Sequence, residues 1–220
     1  MKAAVEDLLI YGASYPDTLK LIGAVNAEAP AFRVAGYLDD LKAGRETSFM
    51  GLPILGGGEA IEEYVKRGCL LVNNVFSTTA ARRAVAARIE AAGARCATLV
   101  HPACDLAGVE VGTGAVVMAG VLFGADVVVG RQAAVRMGAV VNHNNRIGEF
   151  AFIGPGVTLC GHVTVGDGAY IGAGAVVKER VRIGAGSVVG AGAVVVGDVA
   201  DGAVVAGVPA RPLRGGGTGP

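Results

Sequence analysis

From about residue 105 the chain falls into hexads. Every sixth position from Val111 through Val117, Phe123 and Val129 to Val195 is hydrophobic, fifteen out of fifteen without an insertion, and only Phe123 is not aliphatic. In a sequence that is 52% hydrophobic, such a run has a chance of roughly one in a few thousand, allowing for the choice of frame. The fifth place of each hexad is small, as in Ala115, Val121, Val127, Ala133 and Ala139. A longer period lies on top. Gly follows the aliphatic residue at 112, 130, 148, 166 and 184, and again at 154, 172 and 190, at intervals of 18. Three hexads therefore make one turn of a three-sided β-solenoid, with aliphatic side chains stacked inward and Gly or a small residue relieving each corner. Five turns at the spacing of paired strands give a prism about 24 Å tall. A helical reading fails, because no period of 3.6 fits and Gly recurs too often.

Residues 1–104 follow a different pattern. "DLLIYGAS" is a short apolar run, as in a buried parallel strand, and "YPDTLKLIGAVNAEA" has helical spacing through Leu19, Ile22 and Val25. "FRVAGYLDD" reads as a second strand closed by two carboxylates, "GGGEAIEEYVKRG" as a short helix and "CLLVNN" as a third strand. "STTAARRAVAARIEAAG" reads as an amphipathic helix capped by Ser77 or Thr78, and "CATLVHP" as the last strand. Alternation of this kind predicts a small Rossmann-like parallel sheet wrapped by helices, with a ligand at the carboxyl ends of its strands. The predicted organisation is an α/β domain over 1–104, a β-helix domain over 105–214 and a flexible tail over 215–220.

Nineteen Lys and Arg balance nineteen Asp and Glu, which argues against nucleic acid or an anionic membrane as partner. Four cysteines are scattered with no C-x-x-C pair. That argues against a zinc site or disulfide framework and points to the cytoplasm; no metal is expected. The opening "MKAAVEDLLIYGAS" does not read as a signal peptide. The longest charge-free run, 150–166, contains Pro155, His162 and several Gly, so no membrane span is expected.

One hexad stands apart. "VNHNNRIGEF", residues 141–150, gathers Asn142, His143, Asn144, Asn145 and Arg146 among Val, Ile, Ala and Gly. An imidazole titrates near neutrality and suits a general base; the plain alternative is a solvated surface His. Asn145 falls in the inward fifth slot, where a buried amide needs partners. It either braces the loop or is a polar defect in the core. His162 falls on a corner and His101 at the domain junction, both read as structural.

The pattern "[IV]-G-x-x-x-[VT]" resembles the left-handed β-helix of the hexapeptide-repeat acyltransferases. "IYGAS", "GYLDD", "TLVHP" and "GVPAR", in that order around the repeats, resemble the sugar acetyltransferases of the sialic-acid O-acetyltransferase and bacillosamine N-acetyltransferase group. The resemblance implies a homotrimer that binds acetyl-CoA between neighbouring β-helices and a sugar or nucleotide-sugar in the first domain. It implies His143 as general base and Gly161, one turn of 18 residues on, at the place where the family offers a backbone amide to the oxyanion. Asn144 stands where relatives often have an acid, and Phe152 where many have a second His near the thioester. Ala173, Gly174, Ala191 and Gly192 should line the pantetheine groove, with Arg211 and Arg214 near the CoA phosphates. In the first domain Gly12, Ala13, Ser14 and Tyr15 occupy the phosphate-binding turn, although "GASYPD" replaces donors with Pro16 and adds Asp17. Asp39 and Asp40 match the family's nucleoside pair, and Asn73 ends the third strand. The implied activity is acetyl-CoA-dependent acylation of an amino or hydroxyl group on a sugar; the alternative is a catalytically silent hexapeptide protein that binds a ligand or scaffolds a complex.

Overall fold

The structure, a computed structural model, describes residues 5–213, so Arg214 and the tail 215–220 lie outside the described residues. The chain divides into two compact units between Leu99 and Val100.

The first unit is built on five strands: β1 (Glu6–Tyr11), β2 (Phe32–Leu38), β3 (Ser48–Phe49), β4 (Leu52–Gly56) and β5 (Leu70–Asn73). Their order is β3-β4-β2-β1-β5. Four strands run parallel, and β3 pairs antiparallel with β4 at the edge. The hairpin β3–β4 is absent from the sequence reading. Met50 and Gly51 both have positive φ, as a two-residue hairpin turn demands, but they lack the Asn-Gly or Asp-Gly signature that reveals such a turn. Helices α1 (Asp17–Glu28), α2 (Ile61–Lys66) and α3 (Thr79–Ala91) complete the unit. The apolar run of β1 is buried from Leu8 to Tyr11, as a strand covered on both faces requires. On α1 the buried face is Thr18, Leu21 and Ile22 rather than the expected line through Leu19. On α3 it is Arg82, Val85, Ala86 and Ile89, and Thr78 caps the helix by accepting from Ala81 N–H. A second difference concerns "CATLVHP". Cys96 makes only an isolated parallel bridge to Leu71, and the segment's two-residue strand, Leu99–Val100, is not part of this sheet.

The second unit is a three-sided parallel β-helix. Strands of two or three residues stack 18 apart, for example Val140 on Leu122 and Thr158 on Val140. From Val117 to Val195 every hexad aliphatic is buried, while Phe123 is half-buried, and the fifth-place residues from Ala115 to Val199 are all buried. Two columns thus form one continuous core.

The corners differ from the expectation. The Gly after each aliphatic does not adopt a left-handed backbone; it lies against the next coil. A Cβ on Gly130 would sit 2.6 Å from the backbone of Gly148, and one on Gly166 2.5 Å from that of Ala185. The left-handed residue comes two places later and recurs every six, at Gly114, Gly120, Asp126, Gln132, Gly138, Asn144 and onward to Gly192. One corner column (Gly120, Gly138, Gly156, Gly174, Gly192) is glycine throughout. Another carries Asp126, Asn144, His162 and Arg180, with φ of 56, 59, 60 and 62°.

The outward columns of the three faces also differ. One reads Glu110, Val128, Arg146, Thr164 and Arg182. The other two are mostly apolar: Leu122, Val140, Thr158, Val176 and Val194 on one, and Val116, Ala134, Phe152, Tyr170 and Val188 on the other. The all-glycine corner separates the two apolar faces. The last coil is closed by Val204–Ala206, on which Arg211–Pro212 folds back antiparallel.

Candidate active site

His143 stands on the corner between strands Val140–Val141 and Arg146–Ile147. Its ring is exposed, and the coils on either side leave it room. A Cβ on Gly161 would lie 2.7 Å from His143 Cε1 and 2.9 Å from Nε2, while one on Gly124 would lie 2.5 Å from the His143 backbone N. Gly161 is therefore needed to seat the imidazole itself, a role the sequence did not suggest. Asn142 steadies the approach by accepting from His143 N–H at 3.0 Å. The His162 ring meets the His143 ring edge-to-face at 5.2 Å.

Behind the imidazole runs a chain of contacts. His143 Nδ1 is 2.8 Å from Asn144 Oδ1, and Asn144 Nδ2 donates to Asp126 Oδ2. Arg146 pairs with the other oxygen of Asp126 at 2.8 Å. The hydrogen bond from Asn144, and then that from Arg146, hold the Asp126 carboxyl below its ordinary value of 3.8, so it is ionised at neutral pH. Residue 126 is one coil below residue 144, and that interval of 18 was the signal by which sequence reasoning could have found Asp126. Asn145 is completely buried. It donates to Asn142 O at 2.7 Å and accepts from Val163 N–H at 2.6 Å. Both ends of the amide are engaged, so it braces this loop against the next coil.

The structure brings together His143, Asn144 and Gly161. Phe152 lies on a separate face, its ring stacked on Tyr170 at 4.7 Å. Ala173, Gly174, Ala191 and Gly192 are exposed on the all-glycine corner, and added Cβ atoms at Gly174 and Gly192 would meet nothing within 4 Å. Arg211 is exposed in the closing segment.

A cleft of about 450 Å³ opens in the first unit at the carboxyl ends of β1, β2 and β5. Gly12, Ser14, Tyr15, Asp39 and Asp40 line it, together with Asn74, Phe76 and Arg88, which the sequence reading missed. Ala13 is buried, its N–H donating to Asp39 Oδ2 at 2.8 Å. The other Asp39 oxygen accepts from the Leu41 and Lys42 amides, so this carboxylate fixes the turn. Asn73 is buried beside the cleft, donating to Arg82 O and accepting from Val75 N–H; Asn74 is the residue on the lining. Burial opposes the ionised form of Asp40, but the Gly58 amide, the Tyr11 hydroxyl and Arg88 outweigh it and lower its pKa below 3.8. Burial and the same carboxylate push Tyr11 up to about 12. The edge of the cleft is aromatic, with Tyr15 and Phe76 in an edge contact at 5.3 Å.

Among the described residues no group of three or more His, Cys, Asp or Glu is arranged to hold a metal, and no helix is long and apolar enough to cross a membrane.

The family described as bacterial transferase hexapeptide (six repeats) matches residues 146–179. A point mutant of the perosamine N-acetyltransferase of Caulobacter crescentus, solved in complex with CoA and GDP-perosamine, is 30% identical, with a TM-score of 0.84 over 96% of this chain and 98% of that one. The acetyltransferase domain of PglB from Neisseria gonorrhoeae, solved with acetyl coenzyme A, is 27% identical, with a TM-score of 0.83 over 96% of this chain and 100% of that one. WeeI from Acinetobacter baumannii, at 24% identity, a TM-score of 0.79 and coverage of 95% and 100%, shares the fold. No curated protein matches the chain. A Rossmann-like α/β unit followed by a left-handed parallel β-helix is the fold of this chain.

Proposed function

This chain belongs to the hexapeptide-repeat sugar acetyltransferases, and from that premise we propose that it transfers the acetyl group of acetyl-CoA to an amino group of a nucleotide-linked sugar, with His143 as general base. The observation that carries the assignment of the base is the imidazole seated on Gly161 with its Nδ1 held by Asn144. Nε2 is thereby turned away from the anchoring contact and is the atom that takes the proton. As the amine attacks the thioester carbonyl, a C–N bond forms, the C–S bond breaks, the amine proton passes to Nε2 and CoA leaves as its thiol or thiolate. A backbone N–H beside Gly161 would receive the oxyanion.

The donor needs a smooth groove. The exposed corner through Ala173, Gly174, Ala191 and Gly192 offers one for the pantetheine arm, and Arg211 lies in the closing segment as a partner for phosphate. Its completion by a second chain follows from surface chemistry. The face through Leu122 and Val176 has a largely apolar outward column, with Leu122 63% exposed and Val176 37% exposed, and a homotrimer would cover it. In the first unit, the cleft at the strand ends takes the nucleotide of the acceptor. Tyr15 and Phe76 offer ring faces, and Asp39 sets the turn that carries Gly12 and Ser14. Acetyl-CoA as donor and four free cysteines support a cytoplasmic location.

Titration calorimetry should show acetyl-CoA binding to a trimer, and a panel of UDP-, GDP- and dTDP-linked amino sugars should yield one acceptor that is acetylated. Absence of CoA binding, or a monomer by light scattering at micromolar concentration, would contradict this reading.

A further inference from the structure

We infer that Asp126 is a positioning residue for the base, acting through Asn144 to fix which nitrogen of His143 carries the proton; this rests on the assignment of His143 above. The argument is one of forced directions. An ionised carboxylate only accepts hydrogen bonds, so the Asn144 amide must present its NH₂ to Asp126. The same amide then has only its oxygen to offer His143, 2.8 Å away. A carbonyl oxygen also only accepts, so Nδ1 carries the hydrogen and the lone pair is on Nε2. Without Asp126 the amide could turn over, offer its NH₂ to Nδ1 and place the hydrogen on Nε2. A base with its hydrogen there cannot accept a proton.

The backbone supports this. Positions 126 and 144 both have φ near +60°, a conformation that costs most residues about 1–2 kcal/mol but that Asn and Asp visit more readily than other side chains. At the all-glycine corner the same geometry is met without side chains. Asn144 N–H donates to Ala125 O at 2.9 Å, which holds the two side chains in register across adjacent coils. Arg146 meets Asp126 through both its carboxylate and its carbonyl oxygen, so the acceptor end of the chain is itself held. The charged and titratable groups around the ring are His162 at its edge, Asp126 behind Asn144, and Arg146 on Asp126.

The test uses the full chain labelled with ¹⁵N-histidine. There are three His per chain, so His101→Gln and His162→Gln assign the spectrum. Above the titration range, the parent should show His143 protonated on Nδ1. Asp126→Gly suits the left-handed backbone at this position and should fold, yet it should lose that tautomer preference. The exchange Asp126→Asn with Asn144→Asp puts a carboxylate directly on Nδ1 and should restore it. With acetyl-CoA and GDP-perosamine as probes, Asp126→Gly should lower kcat by about 10-fold or more without changing the KM for acetyl-CoA, and the exchange should recover most of it, as expected for a partner that orients a functional imidazole. An unchanged tautomer in Asp126→Gly, or failure of the exchange to restore it, overturns the inference. If GDP-perosamine is not turned over, the spectra alone decide. If His143→Ala keeps its activity while the tautomer responds as described, the assignment of the base fails and the positioning chain stands.

Discussion

Two corner columns of the β-helix share one backbone and differ in almost every side chain. At the first, Gly120, Gly138, Gly156, Gly174 and Gly192 supply the left-handed residue of every coil. At the second the same torsion is imposed on Asp126, Asn144, His162 and Arg180. The first meets the torsion without side chains, because Gly reaches positive φ without steric cost, and the corner is left smooth. The second accepts backbone strain in each coil and in return carries side chains one above another. Local strain of this kind collects where a site is built. The contrast teaches that the repeat has a default residue at each place, and that departures from it mark the chemistry.

The largest effect should come from the second corner. Removing the imidazole with His143→Ala should lower kcat by at least about 10²-fold while leaving CoA affinity nearly unchanged, since general-base catalysis is typically worth that much. The fold should survive, because the ring is exposed. Near-full activity on the true acceptor would move the base elsewhere, with His162 the first suspect. Next comes Gly161→Ala, whose Cβ would run into the imidazole. It should cost about 10-fold in kcat through misplacement alone. At the first corner Gly156→Ala, with φ +64° and open space around it, is the matched control. It should cost about 1 kcal/mol of stability in urea unfolding from the torsion and leave kcat within about twofold. If both variants lose activity equally, the two corners do not differ as argued.

Asn145→Ala probes the brace between the second corner and the core. It strands the Val163 N–H and the Asn142 carbonyl, so unfolding should report a loss of about 1–3 kcal/mol. The smallest effect lies away from both corners. Asp40→Asn should lower the Tm by about 1–3 °C at pH 6. The folded-state pKa of Asp40 is depressed, so its contribution is present above the unfolded value near 3.8 and lost as pH falls through the folded one. The difference between variant and parent should therefore shrink in acid below pH 4. A difference that grows there would reverse the sign.

The β-helix was legible because its evidence is periodic. An inward residue every six places is repeated fifteen times, and no other structure explains it. The left-handed places were missed because Asp126, Gln132 and Phe150 stand there as well as Gly, so composition does not mark them. The α/β unit was legible in its buried strands and in α3, whose apolar spacing is regular. It was not legible in β3 and β4, where a short edge hairpin turns at Met50 and Gly51. His143 could be singled out as a polar residue in an apolar repeat. Asp126 is polar for no reason visible within its own hexad, and only its interval of 18 to Asn144 marks it. Asn73 and Asn74 show a similar limit: adjacent residues of one type, both buried at the end of one strand, of which only Asn74 lines the cleft.

The stacking of coils has a consequence for how such a chain can change its length. Each coil meets the next through the same parallel ladder, and Gly130, Gly148 and Gly166 each lie against the coil that follows. Deleting one residue would turn every later valine from the inside to the outside. Adding a whole coil beyond the site would leave both columns aligned and alter only the height of the prism. Lineages of this protein can therefore gain or lose residues by eighteens, and the distance from His143 to the closing segment around Arg211 is adjustable in steps of one strand spacing.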